Sequence, residues 1–162
     1  MTKHPARAWD QATARTIIDS HRAEPGALLP IFHALQDTFG YVDREALPLI
    51  AEALNISRAE VHGVMSFYHD FREEPAGRTV IKICRAEACQ AVGCQGLVDH
   101  VEARHGIALG ETTADGAVTV EEVFCLGNCA LGPSAMVDGK PLGRMTREKL
   151  DHLIAAARTG RQ

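Results

Sequence analysis

Four of the chain's five cysteines stand in two short stretches, Cys84-Arg-Ala-Glu-Ala-Cys89 and Cys125-Leu-Gly-Asn-Cys129. Thiolates favour soft metals and iron–sulfur clusters, and two pairs carried on separate loops can close on one object. A [2Fe–2S] cluster needs four ligands, two on each iron, and thiolates meet the demand of ferric iron for electron-rich donors. Intervals of four and three residues let each pair curl round one iron without a regular helix between its members. The same intervals are wider than the Cys-x-x-Cys knuckle usual at zinc, so zinc is the alternative, and a set of reduced structural or redox thiols the third reading. Cys84, Cys89, Cys125 and Cys129 are the expected ligands.

The neighbouring residues fit around that centre. Gly127 and Gly132 lie in and just after the second stretch. Glycine there lets backbone N–H groups come close to cluster sulfurs, and such hydrogen bonds help set a reduction potential. Cys94 falls on the apolar stripe of an expected helix and reads as a buried structural thiol rather than a fifth ligand. Arg85 and Glu87, between the first two cysteines, are either solvated loop residues or contacts that tune the cluster or touch a partner. His62 and His69 share a helix face but lack the further ligands a metal needs. His100 and His105 are expected to face solvent. The chain has no Gly-x-Gly-x-x-Gly, no phosphate loop and no nucleophile elbow. No catalytic residue is assigned: a cluster without its own substrate site is a relay.

The elements that would position the cysteines follow from hydrophobic period. Asp10 caps a helix bearing Ile17, Ile18 and His21, which ends before Pro25-Gly26. A second helix carries Leu28, Ile31, Phe32, Leu35 and Phe39, with Pro30 near its start and Gly40 to stop it. Asp43 opens a third with Leu47, Ile50, Ala51 and Leu54, in which Pro48 lies rather deep. Ser57 and Glu60 make a capping box ahead of a stripe of Val61, Val64, Met65, Tyr68 and Phe71, where Tyr68 is expected in the core. Glu73, Glu74, Pro75 and Gly77 break the pattern and set a boundary between residues 1–76 and 77–162.

Beyond it the period changes. Thr79 to Cys84 alternates as a strand, residues 91–105 form a helix stopped by Gly106, and Val118 to Phe124 is the next strand. Ala135–Val137, Asp138-Gly139 and Lys140–Leu142 form a hairpin of the Asp-Gly type, and Thr146 caps a last helix with Leu150, Leu153, Ile154 and Ala157. A βαβ crossover brings successive strand ends to one edge of a sheet, so the two cysteine loops meet there. The fold class is α+β: an N-terminal helical bundle and a small α/β domain.

Composition bounds the function. With 46% hydrophobic residues the chain can bury a core, and a net charge of −4 argues against a nucleic-acid footprint. No apolar run reaches the roughly 18 residues needed to span a bilayer, and the first residues lack the apolar core of a signal peptide. A cytoplasmic protein without membrane insertion is expected, a setting in which paired cysteines more often bind metal than form disulfides.

The four cysteines, the phrase Val-Phe-Cys-Leu-Gly-Asn-Cys-Ala-Leu-Gly-Pro133, the stretch Val61-His-Gly-Val-Met-Ser-Phe-Tyr-His-Asp-Phe71 and Leu28-Leu-Pro-Ile-Phe-His-Ala-Leu-Gln-Asp-Thr-Phe-Gly-Tyr-Val42 resemble the thioredoxin-like [2Fe–2S] subunit family of NADH dehydrogenases. That family includes the peripheral-arm subunit of complex I, matching subunits of NAD-linked hydrogenases, and the gamma subunit of NAD-dependent molybdenum formate dehydrogenases. Cys84-Arg-Ala-Glu-Ala-Cys-Gln-Ala-Val-Gly-Cys94 looks most similar to the formate dehydrogenase gamma subunit. The resemblance spans about residues 10–157. It implies a thioredoxin-like [2Fe–2S] ferredoxin domain after the helical part, one cluster on Cys84, Cys89, Cys125 and Cys129, and electron exchange with FMN. The FMN, the NAD(H) site and [4Fe–4S] clusters would belong to a partner flavoprotein subunit, with a molybdenum cofactor elsewhere in a larger hetero-oligomer. Rival readings are a stand-alone ferredoxin serving several partners, or a zinc-stapled interaction module with no redox role.

Overall fold

The computed structural model describes residues 8–160. The chain divides into two compact units, a helical one ending at Pro75 and an α/β one beginning at Ala76.

The helical unit holds α1 (Gln11–His21), α2 (Leu28–Phe39), α3 (Ala46–Leu54) and α4 (Arg58–Phe67). The Asp10 carboxylate accepts from the Thr13 N–H at the start of α1, and Gly40 closes α2 in the left-handed region at φ 83°. Helix α3 starts at Ala46, three residues later than Asp43 suggests, because the Asp43 side chain turns the chain by accepting from the Glu45 N–H. Pro48 thereby falls in the first turn, where its missing N–H costs little. At α4 the Ser57 hydroxyl accepts from the Glu60 N–H, while the Glu60 carboxylate accepts from the Ser57 N–H at 2.8 Å.

Ile18, Ile31, Phe32, Leu35, Phe39, Ile50 and Val61 are buried in this unit's core. Phe71 joins them, its ring 5.0 Å from that of Phe32. It is not on the helical stripe, because α4 ends at Phe67. The segment after α4 is held instead by Gln36, whose amide donates to the Asp70 carbonyl and accepts from the Arg72 N–H. Tyr68, expected in the core, is exposed together with Phe67. It sits just past the helix end in extended backbone, so the helical period no longer governs where its ring goes.

The α/β unit holds β1 (Thr79–Cys84), α5 (Glu87–Ala91), α6 (Gln95–His105), β2 (Val118–Val123), a 3₁₀ turn at Cys129–Leu131, β3 (Ala135–Val137), β4 (Lys140–Leu142) and α7 (Arg147–Thr159). The sheet order is β2-β1-β3-β4, with β1 and β2 parallel and the other pairs antiparallel. Asp138 at φ 46° and Gly139 at φ 82° make the two-residue hairpin turn, both in the left-handed region that a type I′ turn requires. Ile81 and Ile83 of β1 and Val118 and Val120 of β2 share a core with Leu97, Val98 and Val101 of α6 and Leu150, Ile154 and Ala157 of α7.

The helix expected over 91–105 is shorter, Gln95–His105, and a separate five-residue helix precedes it. Gly93 at φ 87° breaks the path, α5 lies before it and α6 begins only at Gln95. Strand β2 stops at Val123, and Phe124 projects into solvent. No helix among the described residues is long and apolar enough to cross a membrane.

Candidate metal centre

Cys84 is the last residue of β1, and its register partner on β2 is Val123, the last residue of that strand. Both strands therefore leave the sheet at the same edge. The ladder runs one residue further, the Arg85 N–H donating to the Val123 carbonyl at 2.9 Å, before the chains part into the two cysteine loops. Cys84 is also tied to a third segment, its N–H donating to the Ser134 carbonyl.

From Cys84 the chain turns into α5, which contains Cys89. A short helix thus lies inside the first pair, where irregular backbone was expected. Cys84, Cys89 and Cys94 are buried together, with Ala86, Val123 and Leu126 packed against them. Cys94 is fully buried, as expected, but it precedes α6 rather than riding on its apolar stripe, and its N–H donates to the Cys89 carbonyl. Cys125 and Cys129 are exposed, and all five cysteines are free.

The second loop is tightly wound. Cys125 takes φ 80° and Gly127 φ 70°, both left-handed, and the Gly127 N–H donates to Cys125 Sγ at 3.4 Å. The sulfurs of Cys125 and Cys129 stand 3.9 Å apart. Two thiolates on one tetrahedral metal, each at about 2.3 Å, are separated by about 3.8 Å, so this pair already has the spacing of two ligands on one ion.

Electrostatics join the two loops. Burial pushes the Cys84 thiol up, but the N–H of Ala86, the Cys89 thiol and the N–H groups of Cys125 and Leu126 outweigh it and bring Cys84 below the usual thiol value. Backbone donors from the second loop are thus aimed at the sulfur of the first, the arrangement a sulfur bearing negative charge requires. Burial pushes Cys89 up against the opposing Ser134 N–H, with Cys84 and Cys94 adding to the rise. Its neighbour Cys125, by hydrogen bond and by charge, holds Cys129 up. Cys94 is raised by burial, with the Arg85 charge opposing.

Residues that sequence reading missed, Ser134 and Gly143 foremost, frame the second loop. Ser134, almost fully buried, accepts from the Asn128 amide and donates to the Asn128 carbonyl. A Cβ on Gly143 would lie 2.5 Å from Leu131 Cβ and 2.8 Å from its carbonyl oxygen, so only glycine lets the chain after β4 pass the 3₁₀ turn. The Arg144 N–H then donates to the Leu131 carbonyl and the Met145 N–H to that of Pro133. No local periodicity marks these contacts; the Gly-Asn-Cys phrase and an unexplained glycine after a hairpin were the available signals. Gly132 does not play the expected part, because its N–H donates to the Cys129 carbonyl and not to a sulfur; a Cβ there would lie 3.0 Å from Val92.

Arg85 is no free loop residue: its guanidinium donates to Glu122 at 2.8 Å and to Gln95 at 3.2 Å. Glu87 is exposed in the first turn of α5. His62 and His69 are both exposed. His100 and His105 do not face solvent freely; both are partly buried, with their Nε2 atoms on Asp151 of α7. The α6–α7 packing turns them toward that carboxylate, which a reading of α6 alone could not anticipate.

Residues 14–158 match the family described as the thioredoxin-like [2Fe-2S] ferredoxin. Similar proteins include an NADH-quinone oxidoreductase subunit of Pseudomonas aeruginosa, 34% identical over 84% of this chain and 82% of that one. The NADP-reducing hydrogenase subunit HndA of Solidesulfovibrio fructosivorans is 32% identical over 85% of this chain and 81% of that one. Among solved structures, a chain of an NAD+-reducing [NiFe]-hydrogenase in the air-oxidized state matches with a TM-score of 0.69 and 28% identity. The match covers 86% of this chain and 24% of the hydrogenase chain, about a quarter of its length.

Proposed function

This chain belongs to the thioredoxin-like [2Fe–2S] ferredoxin family, and from that premise we propose that it is the electron-carrying subunit of an NAD-linked oxidoreductase complex located in the cytoplasm. Cys84, Cys89, Cys125 and Cys129 hold one [2Fe–2S] cluster. The observation that carries this reading is the convergence of the two pairs: strand ends in register at one sheet edge, a second pair with sulfurs 3.9 Å apart, and N–H groups of that loop aimed at Cys84. When bound, the cluster supplies one-electron chemistry that makes no bond to a substrate.

The chain's own residues do the rest. Cys84 and Cys89 carry their side of the centre under Ala86, Val123 and Leu126, which keeps water from those sulfurs. The N–H groups of Ala86, Cys125 and Leu126 stabilise charge on the Cys84 sulfur and so favour the thiolate state a metal needs there. Cys125 and Cys129, with Phe124 and Leu131 exposed in the same loop, offer the face from which a flavoprotein partner reaches the centre. The partner contributes FMN, the NAD(H) site and [4Fe–4S] clusters. The helical unit serves docking, with Phe67 and Tyr68 as its exposed anchors.

The parent complex is a formate dehydrogenase with its molybdenum cofactor in another subunit; the support for this is the Cys84–Cys94 loop. The relatives named above favour the second reading, the matching subunit of complex I or of an NAD-linked hydrogenase. Anaerobic purification decides both levels. Absorption at roughly 400–600 nm that bleaches with dithionite, with a rhombic S = 1/2 signal, is expected of the thiolate-bound cluster. A colourless, zinc-loaded protein overturns the relay. Co-purification from native cells with formate-dependent NAD+ reduction supports the formate complex; co-purification with quinone reductase or hydrogenase activity selects the alternative.

A further inference from the structure

Helices α6 and α7 bring together three groups that the relay does not use. His100 Nε2 lies 2.8 Å and His105 Nε2 2.7 Å from the same oxygen, Oδ1 of Asp151. The three donor atoms all fall within 4.8 Å of one another, and the two imidazole rings meet edge to face at 6.2 Å. We propose that His100, His105 and Asp151 form a binding site for a divalent transition-metal ion of the zinc type, which clips α6 to α7.

Two imidazole nitrogens and one carboxylate oxygen form a donor set suited to zinc, with water completing the coordination. An ion pair would need one histidine. Here both rings turn the same nitrogen to the same oxygen from positions five residues apart on one helix. The second oxygen, Oδ2, is met separately by Arg104 Nε at 3.2 Å, so both histidines fall on Oδ1. The histidine side chains are 18% and 13% exposed, restrained by packing yet open on one side to an entering ion. Donors about 2.0–2.1 Å from zinc stand about 3.3 Å apart, so binding needs the rings to withdraw from Oδ1 by about half an ångström. Each neutral ring that now donates from Nε2 moves its proton to Nδ1 and presents the Nε2 lone pair; no oxidant or reductant is involved.

Arg104 supplies a discriminating test. Its guanidinium opposes a second positive charge at Asp151, and its largely exposed side chain carries little of the fold. Zinc alone is titrated by calorimetry into the full chain with its cluster bound, while the visible spectrum verifies that the cysteines keep their iron. One zinc per chain is expected. His100→Asn, His105→Asn and Asp151→Asn should each weaken it by about 10-fold or more, and Arg104→Gln should tighten it, all with unchanged cluster absorption. Absence of binding to the wild-type chain, or wild-type affinity in both histidine variants, overturns the site. If a variant at one of the three ligands fails to fold, Arg104→Gln decides: unchanged or weaker zinc binding overturns the proposal.

Discussion

The sulfurs of Cys125 and Cys129 stand 3.9 Å apart in a loop where the intervening Gly127 donates its N–H to Cys125. Two backbone positions of that loop, Cys125 and Gly127, are left-handed. For a residue with a Cβ such a conformation is unfavourable by an amount of order 1–3 kcal/mol and persists when the surroundings fix it. Here the fixing comes from the Ser134–Asn128 contacts and from the chain after β4 passing over the 3₁₀ turn.

The cysteines should therefore separate into two classes on replacement. Cys125→Ser is expected to lose or greatly weaken the cluster, because it removes a soft ligand from a pair whose spacing is already set. Cys94→Ala should keep full cluster absorption and iron content, and lower unfolding free energy by about 1 kcal/mol as a small buried side chain is truncated. Unchanged visible absorption in Cys125→Ser would falsify the ligand set.

Gly143→Ala tests the frame rather than the ligands. Its new Cβ would meet Leu131 Cβ at 2.5 Å and the Leu131 carbonyl at 2.8 Å, neither at the end of a flexible side chain. Overpacking of this kind costs about 1–3 kcal/mol. Because Leu131 closes the 3₁₀ turn that begins at Cys129, the variant should also release iron faster to a chelator, measured as decay of visible absorption. A variant as stable and as slow to lose iron as the wild type would mean the chain can shift there freely.

The capping box of α4 gives a pH dependence with a definite sign. The Ser57 N–H and hydroxyl hold the Glu60 carboxyl below its usual value. A depressed folded-state value makes its contribution fully present above the unfolded value of about 4.3 and lost as pH falls through the folded one. Wild type should exceed Glu60→Gln in thermal stability at pH 6–7, with the gap closing below about pH 4. Ser57→Ala removes the N-cap acceptor and should cost about 1 kcal/mol across that range. Thermal melts of the three proteins against pH check both.

The α/β scaffold was legible because its signals are local. Strand β1, the Asp138-Gly139 hairpin, the Thr146 cap and the Gly106 stop each follow from a few adjacent residues, and all occur as read. The parallel βαβ step then places the cysteine loops at one edge. What escaped was set at long range or by a single backbone angle. Gly93 delays the helix read from about 91 until Gln95, because a left-handed residue interrupts the path just before it. His100 and His105 read as solvent-facing until α7 supplies Asp151, 46 residues beyond His105. Ser134 and Gly143 act on the second loop through contacts that no hydrophobic period marks.

The last expectation concerns docking, and it rests on a contrast within α4. Val61 and Met65 are buried, yet Phe67, the final residue of the same helix, is 72% exposed with its ring edge-on to Tyr68 at 5.1 Å. Removing Phe67 takes almost nothing from the unit's core, so Phe67→Ala should change stability by no more than about 0.5 kcal/mol, as for other surface positions. If the helical unit docks the flavoprotein through this aromatic pair, the same change should weaken assembly by more than about 1 kcal/mol, roughly 5-fold or greater in dissociation constant. Cluster absorption should stay unaltered, because no ligand is touched. Thermal melts read the first quantity, and calorimetric titration of the cluster-loaded chain into the purified flavoprotein reads the second. Wild-type affinity in Phe67→Ala and Tyr68→Ala alike would move the docking surface away from the end of α4 and toward the exposed Phe124 and Leu131 beside the second cysteine pair.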